Sequence, residues 1–150
     1  MRFDSLIRSH VAFARNLSVA QRIGLLLAAA LFVAAGVLHF TKTVFYLKIM
    51  PPYIPWHLSM VYVSGACEIL GGLGLLFSVT RRAAAWGVVA LLIAVFPANL
   101  YMATNPVEAG AGSIAPAIRW GRLPIQVLLI GWVLWCTHAR DKSKTLSRTL

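Results

Sequence analysis

Apolar residues run almost unbroken through four stretches of the chain, and polar residues collect between them. The first is Ile23 to Phe40, "IGLLLAAALFVAAGVLHF", and the others cover roughly 58–79, 83–103 and 117–137. Each is close to the ~20 residues that a helix needs to cross the hydrocarbon of a bilayer. A spanning segment must also satisfy its own backbone groups, which a helix does. The pattern therefore predicts an all-α membrane protein. It is a four-transmembrane-helix bundle in a single domain over 1–150, with basic tails at 1–18 and 138–150.

The connections are of two kinds. Arg81 and Arg82 make a tight turn between the second and third spans. The segment 42–57 contains "MPPYIPWH", whose prolines block a continuous helix. The segment 105–116 is rich in Gly, Ala and Pro.

Composition strengthens this picture. Hydrophobic residues make up 59% of the 150 residues and charged residues 12%. A soluble domain is nearer half apolar and about a quarter charged. A chain this short has no interior large enough to hide the excess, which excludes a soluble globular protein.

The net charge of +10 fixes an expected orientation. Arg2, Arg8, Arg15, Arg22, Arg81, Arg82, Arg140, Lys142, Lys144 and Arg148 fall on one side of the spans. Lys42, Lys48, Arg119 and Arg122 fall on the other. The positive-inside rule then places both termini in the cytoplasm. Phe3, Leu6, Ile7 and Phe13 recur at near-helical spacing beside basic residues, the pattern of an amphipathic helix lying along the inner leaflet. The basic residues form no stripe interleaved with aromatics, so nucleic acid is not the expected partner and the lipid bilayer is.

Glu68 breaks the apolar pattern of the second span. An ionised carboxylate at mid-bilayer costs a few kcal/mol on insertion scales and persists where it faces protein or water. Ser64, Gly65, Glu68, Gly71, Gly72 and Leu75 share one helical face. Gly65, Gly71 and Gly72 make that face small, so a neighbouring helix can approach closely, or a second copy of the chain can dock there as a homo-oligomer. Helical rise puts Glu68 near the middle of its span and His39, Asn99, Tyr101, Arg122 and Gln126 in the outer half of theirs. The sequence thus predicts a polar pocket in the outer half, with Glu68, His39, Asn99, Gln126, Arg122, Tyr101 and Ser64 as its candidates, roofed by "YLKIMPPYIPWH".

Each candidate also has a purely structural reading. Glu68 serves either as a ligand or proton site, or as a packing acid that is neutral or paired with Arg122 or His39. His39 fits a helix end at the interface. Asn99 and Gln126 fit backbone groups freed by Pro97 and Pro124. Without a partner Arg122 snorkels outwards. No phosphate loop, nucleophile elbow or metal-ligand cluster is expected, and Cys67 and Cys136 form no C-x-x-C. No catalytic residue is assigned, no cofactor is required, and a stand-alone enzyme would have to rest on Glu68 and His39 as an acid–base pair.

"GVLHF", "PPYIP", "VYVSGACEILGGLGLL", "RRAAAWGVVALLIAVFPANLYMA" and "RLPIQVLLIGWVLW" occur in this order between Leu25 and Trp135. Together they resemble a DoxX-like membrane protein. That resemblance implies a four-helix, multi-pass protein of the bacterial inner membrane, associated with redox complexes. It makes the leading expectation an accessory or anchoring subunit of a membrane redox system, with a membrane or periplasmic oxidoreductase as partner. Two further expectations stand beside it: a protein or permease that binds a small molecule, lipid or quinone, and a non-catalytic structural or assembly protein.

Overall fold

Ser18 begins the first helix, and the reason is local. Its hydroxyl accepts from the Gln21 amide at 3.2 Å while the Gln21 side chain accepts from the Ser18 amide at 3.0 Å, a reciprocal cap. Helix α1 then runs Val19–Thr41. A short helix α2, Thr43–Lys48, follows after a break at Lys42. Helices α3 (His57–Leu76), α4 (Arg81–Thr104) and α5 (Pro116–Thr137) complete the chain order. The computed structural model describes residues 17–138. All but the last two residues of the amphipathic tail expected at 1–18, and the basic tail beyond His138, lie outside the described residues.

α1, α3, α4 and α5 are each long and apolar enough to cross a membrane. α1 packs on α3, α3 on α4, α4 on α5, and α5 back on α1, which closes an up-down-up-down ring. The side chains turned outwards are apolar: Leu26, Leu70, Ile93 and Leu128 are each more than 60% exposed. Exposed apolar surface on this scale marks a membrane or protein partner, and four helices of spanning length point to the membrane. Trp56 and Trp120 are exposed near one end of the bundle and Trp86 and Trp135 near the other, where amphipathic rings meet the bilayer interface. The chain is thus a helical bundle of the multi-pass membrane type.

Three details depart from the sequence expectation. Within the proline-rich connection the chain still forms α2, because Thr43–Lys48 precedes the first proline. The residue before α3, Trp56, sits in left-handed backbone with φ 54°, which turns the chain sharply after Pro55. The second span ends at Leu76, short of the expected 79, as Phe77 becomes extended. Arg81 is the cause in part. Its side chain is buried and donates from Nε to the Leu75 carbonyl at 3.0 Å and from Nη2 to that of Leu76 at 3.3 Å. A cation there answers the negative end of the α3 dipole. At the same end, Gln21 donates to the carbonyls of Trp135 and His138, both at 2.9 Å, which ties the start of α1 to the end of α5.

Close approach explains the glycines. A Cβ on Gly65 would lie 2.7 Å from the His39 Cβ, and one on Gly36 would lie 2.6 Å from the Gly65 carbonyl. Gly72 meets the Ala29 carbonyl of α1, whereas Gly71 meets Val88 of α4. Of the two occupants expected for the glycine face, a neighbouring helix or a second copy, it is α1 and α4 of the same chain that pack there.

Two apolar clusters divide the interior. Leu25, Ala28, Phe32, Leu75, Ala85, Val88, Leu92, Val133 and Cys136 fill the half nearest the two chain ends. Ile49, Met102, Ala109 and Ala111 close the opposite end, beneath the long connections. The polar residues lie between.

Candidate functional site

A cavity of about 260 Å³ opens between the two clusters, in the half of the bundle nearest the long connections. All four long helices line it. α1 contributes His39, α3 Ser64 and Glu68, α4 Asn99, and α5 Arg122 and Gln126. Its walls are apolar, with Leu31, Phe32, Leu92, Val95, Ile125 and Leu129 among them.

Six of the seven sequence candidates share this cavity. Tyr101 does not. Its hydroxyl donates to Glu108 at 3.2 Å and its ring packs beside the Ile49 and Met102 cluster. It lies more than half a helical turn around α4 from Asn99, so depth alone placed it in the pocket while helical phase turned it away. The expected roof is also shorter than "YLKIMPPYIPWH": Tyr46, Ile49 and Met50 line the cavity, and 51–57 do not. From the sequence Tyr46 is expected only as part of the roof. Its place seven residues after His39 is the only further trace of it in the sequence.

His39 and Glu68 form the charged centre. Both are more than nine-tenths buried, at 7% and 8% exposure. His39 Nδ1 lies 3.0 Å from the Ala35 carbonyl and 3.2 Å from Glu68 Oε2. Both neighbours accept, so Nδ1 carries a hydrogen. That single hydrogen is directed to Ala35, one turn back on α1, and Oε2 is left without a hydrogen bond of its own. His39 is thus a buried partner of Glu68 in the last turn of α1. Its ring stacks on Tyr46, centroid to centroid at 3.8 Å. Burial pushes the Tyr46 phenol above its ordinary range; the Glu68 carboxylate adds to this and Arg122 opposes it.

Asn99 and Gln126 form a second polar unit. The Asn99 side-chain nitrogen donates to Gln126 Oε1 at 2.9 Å, and Gln126 Nε2 donates across the α4–α5 interface to the Leu92 carbonyl. The residue that serves the α4 backbone near Pro97 is therefore Gln126, on the neighbouring helix, and Asn99 positions it. These amides are largely occupied by each other and by the backbone.

Arg122 is half-buried against the cavity and has no ion-pair or hydrogen-bond partner among the described residues. It does not reach within 4 Å of Glu68, whose ion pair is with His39. Arg119 is buried at 8% exposure, and its Nε and Nη1 also lack partners. Arg119 precedes Gln126 by nearly two full turns and so lies on the same inward face, about 10 Å nearer the long connections. From the sequence Arg119 is expected only as an orientation charge. Its phase with Gln126 was the signal that it faces inwards. Among the described residues, no three His, Cys, Asp or Glu side chains gather as a metal site would require.

A family model described as "Domain of unknown function (DUF8561)" matches residues 27–137. No curated protein and no solved structure matches the chain. The match overturns the resemblance to DoxX-like proteins, because the residues that carried it fall within a different, uncharacterised family. The short Gly-, Ala- and Leu-rich fragments behind that resemblance are what close helix packing in any membrane bundle selects.

Proposed function

The chain belongs to the DUF8561 family, and we propose that its bundle holds an amphipathic small molecule or lipid in the cavity between His39, Glu68 and Arg122. One observation carries this reading. All four helices place polar or charged groups against one cavity, although burying them among apolar walls is costly unless they are used. A packing role accounts for Asn99 and Gln126, which satisfy each other and Leu92. It does not account for Arg122, or for the Glu68 oxygen that lacks a donor.

A binding site is favoured over a permease by what lies below the cavity. The half nearest the chain ends is packed by Leu25, Ala28, Leu75, Val88 and Val133, and the buried polar side chains there, Gln21 and Arg81, are tied to backbone carbonyls. The charge distribution orients the bundle with its termini in the cytoplasm and the cavity towards the outer face, of a bacterial inner membrane on this reading. A role as accessory subunit to a redox system drew its weight from the DoxX resemblance; a quinone remains among the amphiphiles to be tried.

The test fills the cavity. Ala98 lines it on α4, and Ala90 faces outwards on the same helix. Native mass spectrometry of the wild type in mild detergent should show a bound amphiphile or lipid, retained in Ala90→Phe and lost in Ala98→Phe. Equal occupancy in all three proteins would refute the cavity as the site.

A further inference from the structure

Two opposite charges line this cavity without meeting. Glu68 Oε2 is buried and has no hydrogen-bond donor, since the only hydrogen on His39 Nδ1 goes to Ala35. Arg122 has no acceptor among the described residues, and it stays beyond ion-pair distance of Glu68. The remaining acid among the described residues, Glu108, takes its hydrogen bond from Tyr101 outside the cavity. Arg119, on the same inward face of α5, adds a second cation whose Nε and Nη1 lack partners among the described residues. In an apolar enclosure an unpaired cation requires an anion, and a carboxylate oxygen without a hydrogen bond requires a donor. Water would supply the donor but not the charge.

We infer that the ligand carries both: an anionic oxygen seated on Arg122 and, a few bonds away, an O–H or N–H donor seated on Glu68, with an apolar tail along Phe32 and Leu129. The inference rests on the reading of the cavity as a binding site. A guanidinium fork suits a carboxylate or phosphate. The shared chemistry has two natural sources. A free hydroxy or amino acid with an alkyl chain has it, and so does an aminophospholipid headgroup, which joins a phosphate to an ammonium.

The experiment compares matched probes on the purified full chain in neutral phosphatidylcholine nanodiscs. The probes are 3-hydroxydodecanoate, with both functions, dodecanoate, with the anion alone, dodecanol, with the donor alone, and a short-chain quinone, with neither. A donor or anion that finds a charged partner contributes about tenfold or more to affinity. The expected result is that 3-hydroxydodecanoate binds at least about tenfold tighter than each of the others. Arg122→Gln should bring it level with dodecanol, and Glu68→Met should bring it level with dodecanoate. Circular dichroism and a retained melting transition certify that each variant folds, and Arg122→Lys supplies a milder version that keeps the charge without the fork.

A lipid source gives a different pattern for the same chemistry. Phosphatidylethanolamine added to the nanodiscs would then be retained by the wild type, displace the probes, and be lost in Arg122→Gln. Dodecanoate equal to 3-hydroxydodecanoate, or the quinone tightest, would overturn the inference. If Ala98→Phe still abolished such binding, the cavity reading would survive that failure. Binding that Ala98→Phe leaves unchanged would overturn both.

Discussion

Gly36 and Gly65 set the distance between α1 and α3, and this distance decides whether His39 can reach Glu68. A Cβ on Gly36 would stand 2.6 Å from the Gly65 carbonyl, where ordinary contact begins at 3.4 Å. The shortfall is about 0.8 Å, and backbone cannot rotate out of the way. Gly36→Ala must therefore move the helices apart. Overpacking of this kind costs about 1–3 kcal/mol. At roughly 2–4 °C per kcal/mol for a chain of this size, the melting temperature in mild detergent should fall by about 2–12 °C. Gly65→Ala should behave alike, since its Cβ meets the Gly36 carbonyl at 2.9 Å and the His39 Cβ at 2.7 Å. Both substitutions demand one and the same displacement, so the double variant should lose less than the sum of the two. Gly87→Ala is the control, because a Cβ there meets nothing within 4 Å. It should match or slightly exceed the wild type, as alanine is the better helix former. A Gly36→Ala protein melting at or above the wild type, or strict additivity in the pair, would refute the interlock.

Two further predictions follow from the polar groups. Gln126→Leu removes the donor to the Leu92 carbonyl and the acceptor for Asn99, at a position only 4% exposed. Each buried group left unpaired costs about 1–3 kcal/mol, so the melting temperature should drop, and adding Asn99→Leu should recover part of the loss; a Gln126→Leu protein as stable as wild type would show the amides idle. Tyr46 gives a pH dependence. Its phenol is raised above the ordinary value of 10.0 in the folded chain, so its contribution is complete below about pH 10 and is lost as pH rises through the folded value. Wild type should therefore lose stability relative to Tyr46→Phe above pH 10, whereas parallel curves would place the phenol in water.

The span pattern was legible because hydrocarbon is a uniform solvent: Leu26 and Leu128 need only be apolar to sit correctly, and length does the rest. The convergence of His39, Glu68, Asn99 and Gln126 could be read from depth, since helical rise converts sequence position to height. Rotation about each helix was harder to read. It separates Tyr101, which turns away, from Arg119, which turns in, and it sends Gly71 to α4 while Gly65 and Gly72 meet α1. Tyr46 was hidden for another reason. Its position follows from the break at Lys42 and the short α2, where the proline-rich composition pointed to irregular chain.

Arg81 links two stages in the life of the protein. While the chain is being inserted, a basic residue beside a short turn is a charge that resists translocation. In the finished bundle the same side chain is buried and closes the last turn of α3 through the carbonyls of Leu75 and Leu76. On the proposed orientation, biogenesis reads its charge and the mature fold reads its fork. Lysine keeps the first and not the second. An Arg81→Lys chain would enter the membrane the right way round and then hold the end of its second span less firmly, so that topology and fold quality, usually lost together, come apart at one residue.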